Sequence, residues 1–555
     1  NWTETRCSTG HNSIEQTHLR LRELENRAIA DRLHGQGYMD LGGEESLVKV
    51  RIDQMHGIEI NDFAVCVAKT ALWIAEQQAL DDTESIAGQA LPHLPLHDSG
   101  NIIQANALRY DWNQLLPAEQ CDYVMGNPPF VGRNKKSDGQ IRDMQDIWGD
   151  GYDGNLDYAT CWYNKAAKYL TNGYGIFAFV STNSICQGIQ VPFLFKPLNE
   201  WGWRIGFAHR TFKWDAQSTD NANVHVVIVG MTRSQGDVRL FSYPDITGDP
   251  VEEECVNVNG YLIAGPDVFV EKRSQKLGPL SPMLSLANFG SMPRDGGNLI
   301  LDDREAYEEA MADPIARKYV HPFRMGRELI NAEDRWCLWM VDAEPSDLRN
   351  SPFLRRRVQA VKAMREESSA ASTRAMAQTA WLFGQRAQPS TKYLAIPKVF
   401  SGRREYATCE WYSSDVIAGD KVYTCIDIDG FNFAIIESSM FMTWQKAIGG
   451  RLKNDCSFSN TVVWNTIPLP ELNHEVRRGV IEAGQEVLAA RANHPGQSLA
   501  DLYDPDFMPS DLRRAHRELD KIVDMAFGAV RLCASNDERL QMLFDSYLRM
   551  TSGQN

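Results

Sequence analysis

No stretch of 18 consecutive apolar residues occurs in these 555 residues, so nothing in the sequence reads as a membrane-spanning helix. No charged start followed by an apolar core opens the chain either, and the expectation is a soluble, cytoplasmic protein with no membrane partner. The 11 cysteines include no Cys-x-x-Cys pair. They read as reduced thiols in apolar segments and not as a disulfide frame or a zinc site, and no metal is expected. Gly-x-x-x-x-Gly-Lys-Ser/Thr is absent, which excludes a P-loop motor from this chain, and the strand–glycine turn–helix fingerprint of a dehydrogenase is missing too. Glu252-Glu253-Glu254 lacks the partner lysine of a metal-dependent nuclease site and reads as a solvated charge run. His209, His225 and His321 are scattered and read as structural residues. Positive charge is in short supply, 57 Lys and Arg against 73 Asp and Glu, a net charge of −16. That balance does not exclude nucleic acid, because phosphate contacts need only a local basic face.

With 43% hydrophobic residues the chain has ample core for several domains. Turn signals at Gly248-Asp-Pro250, Gly278-Pro-Leu-Ser-Pro282, Met292-Pro-Arg-Asp-Gly-Gly297 and Pro468-Leu-Pro470 divide it. The expected parts are an α/β domain over 1–235, a connecting segment over 236–285, a mixed α+β region over 286–470 and a helical region over 471–555. In the last, Leu512, Ala515, Leu519, Ile522, Val523, Met525 and Ala526 recur at helical spacing.

The most informative residues are Asn127-Pro128-Pro129-Phe130, which close the apolar run Asp122-Tyr-Val-Met-Gly126. An exocyclic amine on an aromatic ring has its lone pair delocalised, so a site that modifies it must hold both N–H groups with acceptors. The Asn127 side chain supplies one. Two prolines remove backbone donors and fix φ near −65°, which turns the Pro128 carbonyl toward a substrate as the second. Phe130 offers a flat face for a base turned out of a duplex, a contact worth roughly 1–3 kcal/mol. Upstream, Val50–Ile60 reads as a strand ending in the carboxylate Glu59, placed as an open parallel sheet places the acid that holds a ribose. A helix follows from Asp62, and Asn101–Leu108 is a further short strand closed by Asn106.

In this order the motifs resemble the class I S-adenosylmethionine-dependent DNA adenine-N6 methyltransferases, in particular the large gamma-type enzymes of single-chain restriction-modification systems. The resemblance runs nearly end to end. Leu156-Asp157-Tyr158, Gly175–Asn183, and Phe207–Trp214 followed by Val224–Val229 look like the later motifs of that family. It implies a Rossmann-like methyltransferase domain followed by a DNA target-recognition domain and a helical C-terminal region, with S-adenosyl-L-methionine as cofactor and double-stranded DNA as partner. It further implies that Glu59 binds the cofactor ribose, that Asn106 contacts its adenine, that Asn127 borders the cofactor, and that residues 127–130 hold the target adenine. Cytosine-N4 is the alternative target, although Ser-Pro-Pro-Tyr/Trp is usual in that group.

The family opens its cofactor site with Asp-Pro-Ala-Cys-Gly-Ser-Gly-Asn-Phe. Here Thr5-Arg-Cys7-Ser8-Thr9-Gly10-His11-Asn12-Ser13 stands in its place, keeping only Gly10 for the close backbone approach to the cofactor. The first residue is not methionine, and the expectation is a chain cut from a longer reading frame, with a nuclease or helical region upstream as a possible partner. The non-enzymatic alternative is a DNA-binding remnant that no longer takes the cofactor. Basic residues concentrate between 350 and 455, interleaved with Trp381, Tyr393, Phe400, Tyr406 and Trp411, the pattern of a nucleic-acid-reading module. Arg403 and Arg404, in a Gly-bearing loop, are the candidates for base contacts; Arg355, Arg356 and Arg357 are the candidates for phosphates.

Overall fold

The computed structural model describes residues 2–6, 13–33, 47–88, 91, 101–132, 135–214, 224–452 and 455–552. The chain divides into two compact units, Asn1–Phe269 and Val270–Asn555. No helix among the described residues is long and apolar enough to cross a membrane.

The first unit is built on one nine-stranded sheet. Its strands are β1 (Trp2–Arg6), β2 (Met55–Glu59), β3 (Asn101–Gln104), β4 (Tyr123–Asn127), β5 (Ile176–Thr182), β6 (Arg204–Trp214), β7 (Val224–Thr232), β8 (Val238–Ser242) and β9 (Val251–Cys255). They lie in the order β3-β2-β1-β4-β5-β7-β6-β8-β9. The first five pair in parallel, and β7 runs antiparallel between β5 and β6. Parallel strands need crossovers, and helices supply them: α1 (Ser13–Leu33) precedes β2, and α2 (Asp62–Ala87) follows it. Asn61 caps α2 by accepting the Ala64 N–H at 3.2 Å, a cap worth about 1 kcal/mol. Ile14, Ile52, Met55, Val65, Ala68, Leu72 and Ile102 form one buried cluster that seats α1 and α2 on β2 and β3. Helices α3 (Asp138–Trp148), α4 (Thr160–Tyr169) and α5 (Gln190–Glu200) follow β4 and β5. Gly175, at the entry to β5, is needed for close approach: a Cβ there would sit 2.3 Å from the Cys121 carbonyl oxygen.

The boundary expected near 235 lies later. β8 pairs with β6 and β9 pairs with β8, so residues 236–255 extend the sheet and do not connect two domains. Glu252, Glu253 and Glu254 are solvated as expected, but on the edge strand β9, where charge discourages pairing with another chain.

The second unit holds three small sheets and a helical tail. In one of the two four-stranded sheets, strands Ala287–Phe289, Val422–Cys425, Tyr393–Pro397 and Glu410–Tyr412 are antiparallel neighbours in that order. The helices His474–Ala492, Ser510–Ala526 and Asn536–Thr551 confirm the helical C-terminal region. They belong to the same compact unit as the mixed region, and buried polar bonds tie the two. Arg491 lies 2.6 Å from the Glu437 carboxylate, the Tyr503 hydroxyl donates to Glu437 at 2.9 Å, and the Tyr406 hydroxyl donates to Asp520 at 2.9 Å.

Candidate active site at the carboxyl ends of the parallel strands

Strand register brings the sequence motifs together. Arg6 of β1 pairs with Glu59 of β2 on one side and with Asn127 of β4 on the other, and Glu59 pairs with Gln104 of β3. Glu59 and Asn127 therefore stand in one row at the carboxyl ends of the two parallel strands that flank β1, where open α/β sheets bind their ligands. Glu59 is 4% exposed and accepts the Asn61 N–H at 3.0 Å, so its carboxylate is aimed by the turn into α2. Asn106 lies two residues past β3, in a turn and not at the strand end itself. The Ala105 N–H bonds the Glu59 carbonyl at 2.9 Å, which holds that turn beside β2, and the Asn106 side chain accepts the Leu108 N–H at 2.9 Å. Lys165 of α4 fixes the same loop by donating to the carbonyls of Leu108 and Tyr110 at 2.6 and 2.7 Å; burial draws its pKa down to about 8. Gly10 and the rest of the altered turn at 7–12 lie outside the described residues.

Asn127 ends β4 half-buried, and its side-chain oxygen is shielded from solvent with no hydrogen-bond partner among the described residues. Leaving a buried acceptor unpaired costs about 1–3 kcal/mol, so the sheet carries an unmet demand for a donor at this point. Pro128 is buried, while Pro129 and Phe130 are half-buried. The loop beyond them is clamped from the next motif. The Tyr158 N–H donates to the Val131 carbonyl at 3.1 Å, and Lys136 donates to the carbonyls of Gly154 and Leu156 at 3.0 and 2.7 Å.

One organiser of this loop carried no assigned role in the sequence. Asp157, 7% exposed, accepts hydroxyls from Thr182 at 2.8 Å and from Ser184, both at the end of β5, while its own N–H donates to Gln190 of α5 at 2.9 Å. Its sequence signal is its place in Leu156-Asp157-Tyr158, just ahead of α4, which marks the motif but not these partners.

The candidate DNA residues are not one free basic face. Arg404, the expected base contact, is 8% exposed and donates to the Thr408 hydroxyl at 3.2 Å, and burial lowers its pKa. Arg357, an expected phosphate contact, is half-buried and braces the main chain by donating to the carbonyls of Asn298 and Ile300. Arg365 is fully buried and bonds the carbonyls of Pro293, Arg294, Met376, Thr379 and Leu382. Arg355 is exposed, Arg356 pairs with Glu309, and Arg403 is exposed and pairs with Asp506 at 2.9 Å.

The sheet order, the antiparallel β7 and the row of strand ends define a class I methyltransferase fold joined to a second α+β unit. The chain belongs to the MmeI family. It matches the MmeI DNA-methyltransferase domain over residues 6–242, the MmeI target recognition domain over 264–471 and the MmeI C-terminal domain over 473–554. It is 36% identical over 550 residues to DNA methyltransferase A of Bacillus subtilis (strain 168), an alignment covering 98% of this chain and 61% of that protein. The chain thus spans about three-fifths of that relative's length. The structure of the Type IIL restriction-modification enzyme MmeI in complex with DNA superposes with a TM-score of 0.88 at 36% identity, covering 99% of this chain and 73% of that one.

Proposed function

We propose that the chain transfers a methyl group from S-adenosyl-L-methionine to N6 of an adenine turned out of double-stranded DNA, as the modification part of a restriction-modification or phage-defence system. The observation that carries this reading is the buried, unpartnered side-chain oxygen of Asn127 at the end of β4, in one row with Glu59. A flipped adenine offers an N6–H to that oxygen and a second to the Pro128 carbonyl. Drawing both N–H groups toward acceptors localises the nitrogen lone pair, which is what attack on a methyl group requires. Phe130 stacks on the exposed base. When bound, the cofactor supplies the activated methyl group on its sulfonium. Glu59 holds its ribose hydroxyls and Asn106 its adenine, and because transfer is direct and in line, no nucleophilic cysteine is called for. Asn-Pro-Pro-Phe favours adenine over cytosine as the target. The second unit reads the surrounding sequence, and a nuclease or helical region is a candidate partner within a longer polypeptide.

Calorimetric titration with S-adenosyl-L-methionine separates this reading from a remnant that grips DNA without cofactor. Micromolar binding is expected, and Glu59→Ala should weaken it about thirtyfold, the worth of roughly 2 kcal/mol of hydrogen bonding to a charged group. Absence of cofactor binding by the wild-type chain would leave the remnant as the better account.

A further inference from the structure

A cavity of about 280 Å³ in the second unit is lined by residues of the mixed region and of the C-terminal helices. Lys446, Arg513, Arg517 and Arg539 face it, against two acids, Glu405 and Asp520. Gathering four cations around one cavity runs against the composition of a chain with a net charge of −16. Arg513, Arg517 and Asp520 fall at i, i+4 and i+7 on the helix Ser510–Ala526, so one helical face is presented there.

The commitments of these groups differ. Arg539 is held by Asp524 at 2.8 and 2.9 Å. Asp520 is turned inward, its carboxylate occupied by the N–H and hydroxyl of Ser439 and the hydroxyl of Tyr406. Glu405 is half-solvated and meets Arg513 at 3.3 Å, a loose pair of small worth. Lys446 is half-buried and, among the described residues, donates to the Arg404 carbonyl alone, at 3.3 Å. Arg517 is exposed, and no ion pair to it is found among the described residues. The cavity thus keeps an excess of positive charge with unspent donors, set in partly enclosed surroundings where an anion is bound more strongly than on an open surface.

We propose that this cavity seats a backbone phosphodiester of the DNA duplex, with Arg517 and Lys446 as its donors, so that the C-terminal helices grip DNA independently of its sequence. The site rests on the reading of the chain as a DNA methyltransferase. It involves no base edge, and its signature is electrostatic: each phosphate neutralised adds about 0.9 to the slope of log affinity against log salt.

The test measures duplex affinity across a salt series for the wild-type chain, Arg517→Ala, Lys446→Ala, their double variant and the charge-matched control Arg478→Ala. Arg478 lies on the exposed side of another helix, paired with Glu482 and outside the cavity. Arg517→Ala and Lys446→Ala should each weaken duplexes with and without a methylation site by the same factor, about tenfold at low salt, and each make the salt dependence shallower, the double variant by about 0.9; Arg478→Ala should match wild type. Unchanged slopes in both cavity variants, or an equal change in Arg478→Ala, would overturn the site while leaving the methyltransferase reading intact. So would a shift in sequence preference, which would make the contact a base contact. No duplex binding by the wild-type chain would fail both.

Discussion

Asn127→Ala is expected to lower the single-turnover methylation rate by 10²–10³-fold or more while changing duplex affinity by no more than about twofold. The argument is one of differential binding. The acceptor at the end of β4 matters most when the amine rehybridises and its N–H groups carry more positive charge, and removing one preorganised partner of a developing charge costs about 3–4 kcal/mol in comparable sites. Ground-state DNA binding is spread over many phosphate contacts and hardly senses one amide. Equal losses of affinity and rate would assign Asn127 to binding and not to the chemical step. Because its oxygen has no partner among the described residues, the substitution should also leave stability unchanged or slightly improved, which a melting curve checks.

Arg491→Met is expected to be the most damaging substitution to the second unit. Arg491 is buried, 8% exposed, donates to the Tyr503 hydroxyl at 2.8 Å and to the Cys409 carbonyl at 2.9 Å, and faces a Glu437 carboxylate that is itself 0% exposed. Removing the cation strands that carboxylate in a low-dielectric interior, a loss of about 3–5 kcal/mol for buried pairs of this kind. For a unit of this size that lowers the midpoint of thermal unfolding by roughly 10 °C. Arg491→Met combined with Glu437→Gln should recover part of the loss, because no lone charge remains. A single variant that melts like wild type would show that the charges contribute little to holding the C-terminal helices against the mixed region.

What the sequence disclosed and what it hid have a common physical basis. Asn127–Phe130 and Glu59 were readable because strand, turn and chemistry are encoded within a few consecutive residues. Their alignment in one row was not, since it depends on the register of β1 against β2 and β4, strands more than 40 residues apart. The same limit governs the arginines. A sequence shows charge but not enclosure, and whether Arg357, Arg365 or Arg404 reaches solvent is decided by partners such as Asn298, Pro293 and Leu382, which only the fold brings within bonding distance. β9 was misread for a related reason: Val251-Glu-Glu-Glu-Cys255 has no apolar alternation, and only its pairing with β8 makes it a strand. Asp157 was legible as part of Leu156-Asp157-Tyr158, but its organising role was not, because it acts through Thr182, Ser184 and Gln190, which lie far from it in the chain.

The most direct test of the central claim is mass spectrometry of nucleosides from unmethylated genomic DNA incubated with the purified chain and S-adenosyl-L-methionine. The account predicts N6-methyladenine with wild type and none above background with Asn127→Ala. N4-methylcytosine in place of N6-methyladenine would contradict the assigned target, and no methylated base from a chain that binds both cofactor and duplex would contradict the assigned chemistry.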